Sequence, residues 1–195
     1  MPNLPAFITY VIVTTFTPGP NNIMSMTNAS RLGFKKSLPF SIGVGAGFFV
    51  MLLLSALFSS ILYAAIPSIK PYMLGVGALY MLFLAYKTLK SAIHPHADEE
   101  TSGHSSFLWG AILQFVNPKG ILYGITVMSA YILPYYQAPV TLALISFVLG
   151  IICIASTVCW ALFGSAFKAL FSKHAKVVGV VMALLLVYCA VSLFI

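Results

Sequence analysis

Charge is scarce in this sequence. Asp, Glu, Lys and Arg make up 7% of its 195 residues, against roughly a quarter in a soluble domain. Acids are the scarcest. Asp98, Glu99 and Glu100 are consecutive and have no fellows, so no apolar stretch contains a carboxylate. That excludes paired-carboxylate catalysis within those stretches. Histidine is confined too: His94, His96, His104 and His174 all fall between apolar segments. No Ser/His/Asp constellation, Walker loop or zinc-hydrolase helix is present. Cys153, Cys159 and Cys189 lack C-x-x-C spacing and read as small buried hydrophobes. No metal site and no cofactor is expected. No Lys or Arg precedes the first apolar run, so a cleaved leader is not expected either.

What fills the sequence instead is hydrocarbon. Apolar residues make up 61%, and the mean hydropathy is +1.02. This composition implies an all-α integral membrane protein, because a lipid-spanning chain must satisfy its own backbone. The net charge of +7 would suggest nucleic acid in a soluble protein. Here the basic residues sit in short loops and report topology, so no nucleic-acid partner is expected.

Six transmembrane helices are expected. They run from about Leu4 to Ser30, Ser37 to Ile66, Tyr72 to Tyr86, Phe107 to Leu133, Val140 to Phe167, and Val177 onward. Arg31, Lys35 and Lys36 follow the first; Lys87 and Lys90 the third; Lys168, Lys173 and Lys176 the fifth. Lys70 alone marks the second and fourth connections. The positive-inside rule then puts both termini outside. Tyr63, Tyr72, Tyr135 and Tyr136 lie where an outer aromatic belt would. Three spans per half imply a 3+3 inverted repeat. The whole chain, 1–195, reads as one transporter domain, with repeats at about 1–91 and 107–195 and a polar loop at 91–106 between them.

Two places break this pattern. Thr17-Pro18-Gly19-Pro20-Asn21-Asn22 interrupts the first span, and Asn117-Pro118-Lys119 the fourth. Proline removes the donors that would bond the carbonyls of Thr14, Phe16 and Gln114. Helices 1 and 4 should therefore be broken near the midplane, the arrangement that marks a transporter's binding site. The second half-helices would offer N–H groups and a positive dipole end to an anion. The first half-helices would offer carbonyls to an ammonium. A small zwitterion fits, with its carboxylate on the N-termini and Lys119, and its ammonium on carbonyls or the oxygens of Asn21, Asn22 or Asn117. Lys119 is the one Lys or Arg deep in a span, where a charge is expensive and functional by default. It could equally cap the carbonyls at the break. The asparagines could serve only the broken backbone, and Thr17 is placed to act as an N-cap. Gly43-x-x-x-Gly47 reads as a close helix-packing face, within the chain or in a homodimer.

These two motifs, with the length and segment pattern, resemble the lysine exporter/homoserine–threonine resistance family of bacterial amino-acid exporters. Leu113 to Asn117, Val158 to Leu162 and Leu184 to Val191 are similar to its cysteine/O-acetylserine branch. The resemblance implies efflux of those two compounds across the bacterial inner membrane. A homoserine/threonine-type exporter is the neighbouring reading. Two readings from other classes stand beside it: a metal-ion exporter using His94 to His104, and a membrane thiol oxidoreductase built on the three cysteines. A lysine-like substrate would want a buried carboxylate, and there is none.

Overall fold

The computed structural model of the chain describes residues 4–58, 72, 75, 76, 78–90, 105–167 and 174–191. Among these residues there is no strand. The helices are α1 (Leu4–Phe16), α2 (Pro20–Leu32), α3 (Phe34–Leu57), α4 (residues 78–90), α5 (Phe107–Val116), α6 (Pro118–Thr126), α7 (Pro139–Ala166) and α8 (Ala175–Val191). Lys70, the histidines of the 91–104 segment, Tyr63, Lys168 and Lys173 lie outside the described residues.

Both expected breaks are present. α1 stops at Phe16 and α2 restarts on Pro20; α5 stops at Val116 and α6 restarts on Pro118. Each restart places proline in the first turn, where its missing N–H is not needed. Pro20 and Pro118 thus each open a second half-helix. Pro18 lies between the half-helices. α2 passes into α3 through Gly33 alone, at φ +88°, a conformation that strains any L side chain. One feature escapes the sequence pattern. α6 runs on into a π-helical turn, Val127–Ile132, where the Leu133 N–H reaches back five residues to the Met128 carbonyl at 2.9 Å.

α3 and α7, at 24 and 28 residues, are long and apolar enough to cross a bilayer. α1, α5 and most of α8 are shorter apolar helices. Packing centres on α3, which lies against α5 and α7, while α7 also lies along α2. Glycines permit these approaches. A Cβ on Gly43 would strike the Phe107 carbonyl, one on Gly47 would lie 2.5 Å from the Ala111 carbonyl oxygen, and Gly110 meets the Phe40 backbone from the other side. The Gly43-x-x-x-Gly47 face is therefore used within the chain. Gly45 and Gly150 meet at the α3–α7 crossing. Each stands eleven residues after its helix's first residue. Gly164 lets α7 approach Met26 of α2.

Phe40, Phe48, Ile23, Leu52, Leu113 and Met128 fill the centre, while Val140, Leu144 and Leu184 are among many large apolar side chains left exposed. Contiguous exposed hydrocarbon on this scale suits lipid rather than water.

Candidate functional site

A helix leaves its last four carbonyls without partners. α1 ends amid apolar chain, and its carbonyls are met one by one. The Val13 carbonyl accepts from the Thr17 N–H at 3.0 Å, and that of Thr14 from the Thr17 hydroxyl at 3.2 Å. The Thr15 carbonyl accepts from Asn22 Nδ2 and Ser156 Oγ, both at 2.9 Å. The Phe16 carbonyl accepts from Trp160 Nε1 at 3.2 Å. Beyond the helix, the Thr17 carbonyl accepts from Asn22 Nδ2 at 2.9 Å and from Lys119 Nζ at 2.9 Å. The Pro18 carbonyl accepts from Lys119 Nζ at 3.2 Å and, weakly, from Cys189 Sγ at 3.7 Å. The carbonyls expected to await a ligand's ammonium thus hold donors from the chain itself.

Lys119 joins the two breaks. Its main-chain N–H donates to Asn117 Oδ1 at 3.2 Å, the N-cap bond of α6. Its ammonium crosses to the first break, where Thr17 Oγ1 at 3.0 Å is the third acceptor. The charge thereby lies at the negative end of the α1 dipole. Gly19 gives it passage: a Cβ there would lie 3.0 Å from Lys119 Cδ and 3.1 Å from Nζ. Gly19, not Thr17, is the N-cap of α2, and it supplies no side-chain bond. The N-terminus of α2 is consequently the less covered of the two.

Between the breaks lies a cavity of about 40 Å³. Gly19, Asn21 and Asn22 line it from the first break, and Asn117, Lys119 and Gly120 from the second. Thr14, Thr15, Phe48, Gln114, Tyr123 and Cys153 complete the wall. Among the described residues the lining holds one cation, amides and hydroxyls, and no acid. Tyr123 accepts from Thr15 Oγ1 at 3.3 Å and stacks on Phe48 at 5.1 Å between centroids. Tyr10 packs on Tyr123 at 5.7 Å and on Tyr131 of the π turn at 5.5 Å. An aromatic column so runs from the cavity to that turn.

The structure brings together Gly19, Asn21, Asn22, Asn117 and Lys119, as the motifs suggest. Thr17 and Pro18 are exposed and supply oxygens to Lys119, while Pro20 and Pro118 start helices without lining the cavity. Gln114, Tyr123, Ser156 and Trp160 were not picked out by the motifs. Gln114 carried a signal, being an amide in an apolar run one turn before Asn117. Ser156 and Trp160, four residues apart on one face of α7, carried a weaker one.

The family model for the LysE type translocator matches residues 12–195. The chain belongs to this family. Among its relatives, the cysteine/O-acetylserine efflux proteins of Salmonella typhi and Salmonella typhimurium are each 41% identical over 192 residues, covering 98% of this chain and 97% of theirs. That of Escherichia coli K12 is 38% identical over the same span and shares. No solved structure matches. LysE type translocators are membrane proteins, which accounts for the exposed apolar surface. Both breaks, and every residue lining the cavity between them, fall within the stretch that matches the LysE family.

Proposed function

We propose that this chain exports small neutral amino acids, cysteine and O-acetylserine foremost, across the bacterial inner membrane by alternating access around the two breaks. The observation that carries this is the full-length likeness to proteins of that name, joined to a cavity between two half-helix ends whose described lining holds a cation and amides and no acid. The substrate's carboxylate goes to the open N-terminus of α2, drawn by the Lys119 charge. A second cation in the substrate has no acid to pair with and meets Lys119 unfavourably.

Six spans in a 3+3 inverted repeat, as one domain, suit this reading. In support, α3 lies on α5 of the other half and α7 on α2. The crossing of α3 and α7 falls at equivalent glycines, and both second half-helices open on proline. The basic loops set the first, third and fifth connections in the cytoplasm and both termini in the periplasm. The bilayer and the amino acid are the partners. A homodimer would need a face other than Gly43-x-x-x-Gly47, which α5 covers.

Counterflow in proteoliposomes tests the function. Labelled cysteine and O-acetylserine should exchange, threonine less so, and lysine not at all. Lysine exchange as fast as that of cysteine, or no cysteine exchange, would refute it.

A further inference from the structure

We propose that Gln114 receives the substrate's ammonium group, with Asn21 as a second acceptor, an assignment that rests on the amino-acid export proposed above. Gln114 lies in the last turn of α5, just before the second break, and is wholly buried. Its Nε2 donates to the Val44 carbonyl of α3 at 3.0 Å, with Cys153 Sγ beyond at 3.9 Å. This bond fixes the amide's orientation, because exchanging O and N would set two oxygens against each other. Oε1 therefore turns away from α3 toward Gly120, where a Cβ would lie only 2.7 Å from it. Among the described residues no donor reaches Oε1. A buried amide oxygen without a donor is costly and uncommon.

Asn21 lines the same cavity, and its Oδ1 is buried and likewise without a donor among the described residues. Asn117 Oδ1 holds the Lys119 N–H, and the break carbonyls hold side-chain donors. Asn22 Oδ1 lies 3.4 Å from Ser156 Oγ, whose one proton goes to the Thr15 carbonyl at 2.9 Å, and the Asn22 amide is itself tied to the first break through Nδ2. A ligand that brings three N–H donors meets two unfilled oxygens. The Lys119 charge orients it, attracting the carboxylate and leaving the ammonium to the neutral amides. Neutral acceptors also suit transport: a carboxylate in their place would pair with Lys119 and hold the substrate too tightly to release it.

The test compares cysteine with 3-mercaptopropionate, the same molecule without its amino group, as competitors of cysteine counterflow in proteoliposomes. Wild type should favour cysteine strongly. Gln114→Met keeps the volume and removes the acceptor. It should weaken cysteine about tenfold to a hundredfold, leave the analogue unchanged and so abolish the discrimination. Gly120→Ala sets a methyl 2.7 Å from the present position of Oε1, so the Gln114 amide must shift and its oxygen is covered; it should act in the same direction and decides the matter where Gln114→Met does not fold. Undiminished discrimination in the folded variants overturns the assignment. A sodium dependence lost in Gln114→Met with discrimination intact overturns it too, making the site one for a metal cation. Wild type that fails to exchange cysteine refutes the export reading instead.

Discussion

At the scale of single residues, the first break is held by overlapping bonds. The Thr15 carbonyl has Asn22 and Ser156; the Thr17 carbonyl has Asn22 and Lys119. Losing one donor leaves each carbonyl its other. Asn22→Leu or Ser156→Ala should therefore cost only about 1 kcal/mol, while the pair leaves Thr15 with none. A double-mutant cycle by thermal unfolding in detergent should show coupling of about 1 kcal/mol or more; strict additivity would contradict the shared-acceptor reading. Lys119→Met removes three bonds at once. Thr17 and Pro18 are exposed, so the stability loss should stay near the low end of the roughly 1–3 kcal/mol for an unpaired acceptor. Counterflow should nonetheless fall below detection, because the cavity loses its one cation. Full activity in folded Lys119→Met would remove Lys119 from the site.

At the scale of elements, association among helices in lipid depends on close packing rather than on water exclusion. The three glycine-mediated crossings are thus the points of greatest sensitivity. Gly43→Ala should force α3 and α5 apart, costing about 1–3 kcal/mol or more, and Gly164→Ala should do the same for α7 and α2. Gly75→Ala is the control: among the described residues nothing lies within 4 Å of a Cβ there, and alanine is the better helix former by about 1 kcal/mol. Folded yield in detergent should drop for the first two and hold or rise for the third. Element boundaries at the breaks were legible because proline acts locally on its own turn. The π turn was not, since Val127–Ile132 reads as ordinary apolar helix and its i−5 bond reflects the neighbours it must fit.

At the scale of the whole molecule, the proposed topology can be checked directly. A C-terminal alkaline phosphatase fusion should be active and a green fluorescent protein fusion dark, since the C-terminus is proposed to be periplasmic. The opposite pattern would invert the model or change the span count. Deleting residues 94–104 should leave cysteine exchange within about twofold, because the described residues on the cavity wall come from other segments. Lost metal tolerance would favour the metal-export reading, and unchanged amino-acid exchange would exclude it.

The sequence alone determined that the chain is helical and membrane-embedded, that two spans break, and where. Each follows from local chemistry: too few charges for water, and prolines that lack a donor. It also brought Asn21, Asn117 and Lys119 forward, since polar groups stand out in hydrocarbon. Only the tertiary structure decided which polar atoms are already satisfied. That Lys119 spans to the far break, that Ser156 and Trp160 close carbonyls of α1, and that Gln114 keeps an unfilled oxygen all depend on residues 39 to 144 positions apart. Hydrogen-bond partnership across such separations is set by how helices pack, which spacing along the chain does not encode.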